Sequence, residues 1–243
     1  MTTFKDVFFF NTPLPAEGLP LFDSHCHIQF DDFAADRDQV IQRSKDAGLH
    51  YLVVVGTDLE SSKQALQLAK QYPDYIFATV GNHPYDADKS MDGFQELIEQ
   101  NPEYIVAVGE TGLDYFKNKL DPEIQKQSFR KHCLLAKKFD LPIIIHNPES
   151  VDCYPDTKAI LLETQVTKAI FHCYSGDLQT AEDIWQNGWK TSFALNITYP
   201  KNNYLYEIAR ACPPHLNLVE TDSPYLSPQS KRGQRNEPSY LNG

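Results

Sequence analysis

Eight short apolar runs, rich in β-branched and aromatic residues, recur along this chain with helical stretches between them. The runs are LFDSHCHI, HYLVVVG, YIFATVG, YIVAVGE, LPIIIHN, KAIFHCYS, KTSFALN and LNLVETD. Amphipathic segments such as RDQVIQRSKDAG, SSKQALQLAKQYP, MDGFQELIEQNP, EIQKQSFRKHCLLAKKFD and TAEDIWQNG separate them. In the second of these, Ala65, Leu66, Leu68 and Ala69 recur at the spacing of a one-sided helix. Asp92 and Asp121 stand where N-caps or first-turn residues belong, and Pro122 suits a first helical position. Pro73, Pro102 and Pro142 mark places where a helix must end or a strand begin. Alternating strands and helices imply parallel strands joined by right-handed crossovers. Eight such units predict a TIM-like (β/α)8 barrel as one domain over residues 21–243, preceded by an N-terminal extension over 1–20. A doubly wound sheet is the other arrangement, but no Gly-rich phosphate fingerprint follows the first strand. Because NEPSYLNG follows soon after the eighth strand, the last helix is expected to be missing or abbreviated.

A length of 243 residues and 41% apolar content suit a single barrel of this kind. No apolar stretch approaches the roughly 18 residues of a membrane span. The opening MTTFKDVFFFNTPLP lacks the basic segment and cleavage pattern of a secretory signal. A formal net charge of −11 argues against broad electrostatic adhesion to nucleic acid. It leaves room for a nuclease whose bound cations supply the positive charge. Five cysteines at irregular spacing, without a CxxC pair, read as reduced thiols of a cytoplasmic protein, with no membrane and no protein partner.

In a barrel of this type, catalytic side chains come from the C-terminal ends of the strands and the loops after them. There the sequence places His25 and His27 on the first strand, His83 after the third, and Glu110 and Asp114 on the fourth. His146 follows on the fifth, His172 on the sixth, and Glu220 with Asp222 on the eighth. Each has an ordinary reading alone: His146 as a strand cap, Glu110 as an ion-pair partner, Asp222 as an Asx-turn residue before Pro224. Together, five of the chain's eight histidines and several acids converge on one barrel mouth. Metal binding accounts for the set economically. Imidazole with carboxylate suits Zn²⁺, Mn²⁺ or Fe²⁺, and Mg²⁺ through the carboxylates. Two such ions can clamp both oxygens of a phosphodiester displacement and activate a water, so hydrolysis is the expected reaction.

The ordered series DSHCH, VGNHP, VGETGLDY, PIIIH, HCYSG and ETDSPYL, followed by RGQRNEPSY, resembles the TatD family of metal-dependent deoxyribonucleases. The likeness runs from Phe22 onward. It implies a barrel of the amidohydrolase-like superfamily holding two divalent ions (Mg²⁺, Mn²⁺ or Zn²⁺). The implied activity is hydrolysis of DNA phosphodiester bonds, as an exonuclease on single-stranded or frayed DNA. Carried over residue by residue, it makes His25 and His27 ligands of one ion, completed by Asp222. Glu110 would bridge, and His146 with His172 would hold the second ion. A water between the ions would be the nucleophile, with Asp222 orienting or deprotonating it. The chain departs from the family at Tyr85, where a second histidine is usual. It departs again at His146-Asn147-Pro148-Glu149, where the family reads His-Ser-Arg-acid. Loss of that arginine removes a bidentate phosphate grip.

Other residues receive subsidiary expectations. His83 reads as a substrate contact or a support for the ligands. Lys231, Arg232 and Arg235 follow Asp222 closely and are expected to bind phosphate, with Glu237 pairing an arginine as the alternative. Tyr115, Tyr174 and Tyr225 are placed to stack on unpaired bases, worth about 1–3 kcal/mol per base. Phe116 reads as packing. Asp114 is placed to orient a histidine ligand. Cys26 should face away from His25 and His27 because strand side chains alternate, and Asp23 should support His25. Cys133 and Cys212 read as buried. Two other functions compete: a metal-dependent amidohydrolase or esterase acting on a small molecule or aminoacyl-tRNA, and a non-catalytic interaction protein. Glu110 stands where many amidohydrolases carry a carbamylated lysine, which favours the nuclease; the intact ligand set ranks the non-catalytic reading last.

Overall fold

The structure, a computed structural model, describes Phe8 and residues 20–117, 119–146 and 153–242. Eight strands form one sheet in sequence order: β1 (Phe22–Cys26), β2 (Tyr51–Val54), β3 (Ile76–Val80), β4 (Ile105–Gly112), β5 (Ile143–His146), β6 (Ala169–Phe171), β7 (Lys190–Phe193) and β8 (Asn217–Val219). Every neighbouring pair is parallel. The ring closes just beyond β8, where Asp222 N donates to His25 O (2.9 Å) and His27 N donates to Ser223 O (2.7 Å). Seven α-helices lie among the described residues: α1 (Arg37–Asp46), α2 (Leu59–Gln71), α3 (Phe94–Gln100), α4 (Pro122–Lys138), α5 (Tyr154–Thr164), α6 (Leu178–Gln186) and α7 (Tyr204–Ala211). After β8 the described residues make 3-10 turns at Gln229–Lys231 and Pro238–Asn242 and no α-helix. The second turn lies against α1, where Asn242 Nδ2 donates to Ala47 O (2.7 Å). The (β/α)8 expectation with an abbreviated end thus holds. No helix among the described residues is long and apolar enough to cross a membrane.

Strands covered on both faces must be apolar nearly throughout, which explains the unbroken runs. Phe22, Val53, Val106, Ile144, Ile170 and Leu218 form the inner core. Phe8, fully buried, joins it with its ring 6.4 Å from that of Phe22. The rest of the proposed extension, apart from Pro20, lies outside the described residues, as do Asn147, Pro148 and Glu149. The outer core joins Leu52, Val54, Ile76, Ala78, Ile143 and Ile145 to the helices. Ala65, Leu66, Leu68 and Ala69 are all buried on α2, as their spacing requires; each large aliphatic side chain so buried contributes about 1.5–3 kcal/mol. Asp58, Asp121 and Asp177 cap α2, α4 and α6 through their side chains. Asp92 does not cap α3: that helix opens on Gly93, whose φ of +97° suits glycine. Cys26 faces the outer core and its thiol donates to Val53 O, away from the histidines. Cys133 and Cys212 are buried.

Candidate metal centre

Six strand ends bring their polar residues to one mouth. Glu110 sits within β4 because Gly109 precedes it in a left-handed conformation, φ +133°. A Cβ on Gly109 would come within 2.5 Å of Ile144 O, so only glycine lets β4 approach β5 this closely. His25 and His27 occupy the end of β1, His146 ends β5, and His172 follows β6 directly. Asp222 lies in the turn that closes the barrel.

Two groups of donor atoms share Glu110. His25 Nε2 and His27 Nε2 are 3.1 Å apart. Glu110 Oε2 lies 3.5 and 3.8 Å from them, and Asp222 Oδ1 lies 3.9 and 3.6 Å from them. A tetrahedral ion with bonds of about 2.1 Å holds its ligand atoms about 3.4 Å apart, so this spacing fits a cation. Glu110 Oε1 faces the other way, 2.8 Å from His172 Nε2 and 2.7 Å from His146 Nδ1. His83 Nε2 joins this second group, 3.2 Å from His146 Nδ1 and 3.5 Å from Glu110 Oε1. His83 therefore stands inside the imidazole cluster, closer to the ligand candidates than sequence reasoning placed it.

The electrostatics favour cation binding. Burial opposes charge on Glu110, yet His172 and His83 beside it hold its carboxyl well below the usual range. Burial, aided by His172, lowers His25 to about 4; burial likewise lowers His83 to about 3. Both rings are therefore neutral near pH 7, the form that binds metal. Burial also opposes charge on His172 and His146, but carboxylates outweigh it and raise both, Glu110 and Glu220 for His172, Asp114 and Glu110 for His146. Protons hold those positions when cations do not, and metal binding would displace them.

Surrounding residues fix the cluster. Asp114 Oδ2 lies 3.4 Å from His146 Nε2, the orienting contact expected of it, and accepts from Tyr85 Oη at 3.1 Å. His27 Nδ1 lies 2.9 Å from Val55 O, which selects the tautomer with Nε2 free. Asp23 supports His25 through the backbone: its Oδ1 accepts from His25 N at 3.2 Å and from Thr221 N at 3.0 Å. Glu220, fully buried, places Oε1 3.3 Å from His172 Nδ1. Sequence reading singled out Glu220 as metal-capable and gave it no role; its position two residues before Asp222 was the available signal.

The centre opens into a cleft of about 470 Å³. Phe30, Thr57, Tyr85, Lys117 and Tyr225 line it together with the histidines and acids. Lys117 carries a positive charge into this wall and was not anticipated. Tyr174 is placed otherwise than expected: its ring is buried in the core and its hydroxyl donates to Asp177 O (2.6 Å). Arg235 grips Asp36 through two bonds of 2.8 Å and lies over Phe33, and Arg232 lies over Tyr199; neither lines the cleft. Glu237 pairs with Arg43 of α1, not with either tail arginine. Tyr115 is held by Asp156, while Phe116 is 79% exposed and does not pack.

Comparison with known proteins agrees with this architecture. An uncharacterized metal-dependent hydrolase, YabD, from Bacillus subtilis is 36% identical over 227 residues, covering 91% of this chain and 87% of its own. The protein named 3'-5' ssDNA/RNA exonuclease TatD from Pectobacterium atrosepticum is 33% identical over 233 residues, covering 91% of this chain and 87% of its own. The crystal structure of YjjV, a TatD homologue from Escherichia coli K12, superposes with a TM-score of 0.84 at 31% identity, covering 92% of this chain and 86% of that one. The family model described as TatD related DNase matches residues 22–242, so the chain belongs to the TatD family of metal-dependent hydrolases.

Proposed function

We propose that this chain is a two-metal hydrolase of phosphodiester bonds, acting as an exonuclease on single-stranded or frayed DNA. The observation that carries this reading is the division of Glu110: one carboxylate oxygen faces the His25, His27 and Asp222 group, the other the His146 and His172 group. His25, His27, Asp222 and Glu110 would hold one divalent ion, and Glu110, His146 and His172 the second. Divalent cations held there supply charge for the phosphoryl oxygens and activate a water.

The chain's own groups do the rest. Asp222 reaches the cleft beside the first group and accepts the proton of the attacking water. Lys117, on the cleft wall, neutralises a non-bridging phosphate oxygen, a task that Arg235, paired with Asp36, and Arg232, lying over Tyr199, do not perform from outside the cleft. Tyr225, at 54% exposure, and Tyr85, at 46%, offer ring faces at the rim on which unpaired bases stack. His83 supports the second group and the substrate above it. The name carried by the Pectobacterium relative supports a single-stranded nucleic acid as substrate.

The test is metal analysis of the purified chain followed by assays on single-stranded DNA, double-stranded DNA, RNA, and a panel of esters and amides, with and without chelator. Chelator-sensitive cleavage of single-stranded DNA is the expected result. Stoichiometric metal with ester or amide cleavage and no nucleic-acid cleavage would overturn the reading in favour of an amidohydrolase or esterase.

A further inference from the structure

His25 and His172 lie in a sandwich between two carboxylates. Their rings stack with centroids 3.9 Å apart and planes 18° from parallel. Along one edge, Nε2 of each ring points at Glu110, at 3.5 Å for His25 and 2.8 Å for His172. Beside the pair is Glu220, with Oε1 3.3 Å from His172 Nδ1. One ring nitrogen of His25, one of His172 and an oxygen of Glu220 all lie within 4.8 Å of one another. His25 Nδ1 is buried and has no hydrogen-bond partner among the described residues.

An imidazole that binds a cation through Nε2 carries its proton on Nδ1, and a buried N–H requires an acceptor. Glu220 has the capacity to supply one to each ring. A carboxylate offers about four lone-pair sites. Cys173 N takes one at 2.7 Å and Ser192 Oγ another at 2.5 Å, which leaves two. Those two bonds also fix the carboxylate in place. Glu220 does not line the cleft, so it has no direct access to substrate.

We infer that Glu220 is a positioning residue shared by both metal groups, its carboxylate accepting from Nδ1–H of His172 and of His25 when each ring binds a cation through Nε2. The inference rests on the reading of these two histidines as ligands in separate groups. It assigns one buried anion to hold one ligand of each ion. Loss of its charge then weakens both ions together, whereas a carboxylate that only ties Cys173 to Ser192 would leave both affinities untouched.

The experiment strips wild-type protein and Glu220→Gln with chelator and titrates each with Zn²⁺ by calorimetry. Unfolding of the metal-free forms is followed alongside. Glutamine keeps the volume and one acceptor oxygen but not the charge. Two ions in the wild type and a fall of about 10- to 100-fold in both affinities in the variant are expected. Ser192→Ala, which frees Glu220 Oε2 without touching either histidine, should weaken both by a smaller factor and serves if Glu220→Gln does not fold. Two ions bound with unchanged affinities, or a loss confined to one ion, overturn the shared role and leave the two-metal reading intact. Wild-type protein that takes up no Zn²⁺ overturns that reading and this inference with it.

Discussion

Asp23 and Thr221 meet across the barrel seam although 198 residues separate them in the chain. Thr221 N donates to Asp23 Oδ1 at 3.0 Å, and Thr221 Oγ1 donates to Asp23 Oδ2 at 2.5 Å. Both residues are fully buried, and Thr221 directly precedes Asp222. Thr221→Val keeps the shape and deletes the hydroxyl donor. Burial pushes the Asp23 carboxyl up to about 7, so near neutral pH it is only partly charged and the lost bond is worth about 1–2 kcal/mol. Urea unfolding should show a loss of that size, with lower activity because the residue next to Asp222 is anchored less firmly.

Glu110→Ala removes the carboxylate whose two oxygens divide between the two imidazole groups at the cleft. Two cations placed there without it would repel each other. Hydrolysis should fall at least a thousand-fold, and metal analysis should show fewer than one ion per chain. Full activity in this variant would refute the bridging assignment.

His132 of α4 is buried away from the cleft and accepts from Asn82 N at 3.0 Å through Nε2, with Nδ1 2.8 Å from Ser128 O. It thereby anchors the loop that carries His83. Burial lowers it from 6.5 to about 4. The unfolded chain therefore binds more protons between those values, so stability rises with pH there. The contribution is complete above about pH 6.5 and is lost as pH falls toward 4, up to about 3 kcal/mol in all. His132→Gln should be less stable than wild type at pH 7.5, and the gap should narrow at pH 4.5.

Arg235 and Lys117 make a contrasting pair. Arg235→Ala breaks a half-exposed ion pair with Asp36, for which about 0.5–1 kcal/mol is appropriate, and should leave KM for single-stranded DNA unchanged. Lys117→Ala should raise that KM about five- to ten-fold with little change in stability, because one cation near a phosphate is worth about 1–1.4 kcal/mol. The opposite pattern would return the phosphate contact to the tail.

Cys26→Ser should leave metal occupancy unchanged, because the thiol faces Val53 O and the outer core. A large loss of metal would show that β1 does not present His25 and His27 in the manner described.

The barrel was legible because strands buried on both faces leave continuous apolar runs, and because helical stretches alternate with them along the chain. The candidate metal residues were legible for a related reason: the C-terminal strand ends in a parallel barrel all face one mouth, so position along each run locates them. Side chains on loops and tails were not. Arg235 follows Asp222 by thirteen positions, but its partner Asp36 comes from the far end of the chain, and no local pattern announces that pairing. Tyr174 has the composition of a base-stacking residue, yet its hydroxyl finds a backbone carbonyl three residues on and its ring turns into the core. Asp92 missed its helix for the smaller reason that Gly93 takes the left-handed turn at the helix start.

The seam has a consequence for the order of events during synthesis. His25 and His27 leave the ribosome early, while Asp222 and the Thr221 that anchors β8 to β1 emerge some two hundred residues later. Until then the first group lacks one of its carboxylates and the barrel one of its walls. Until that stretch has emerged, a nascent chain cannot assemble the cleft, so the barrel mouth is completed late in synthesis.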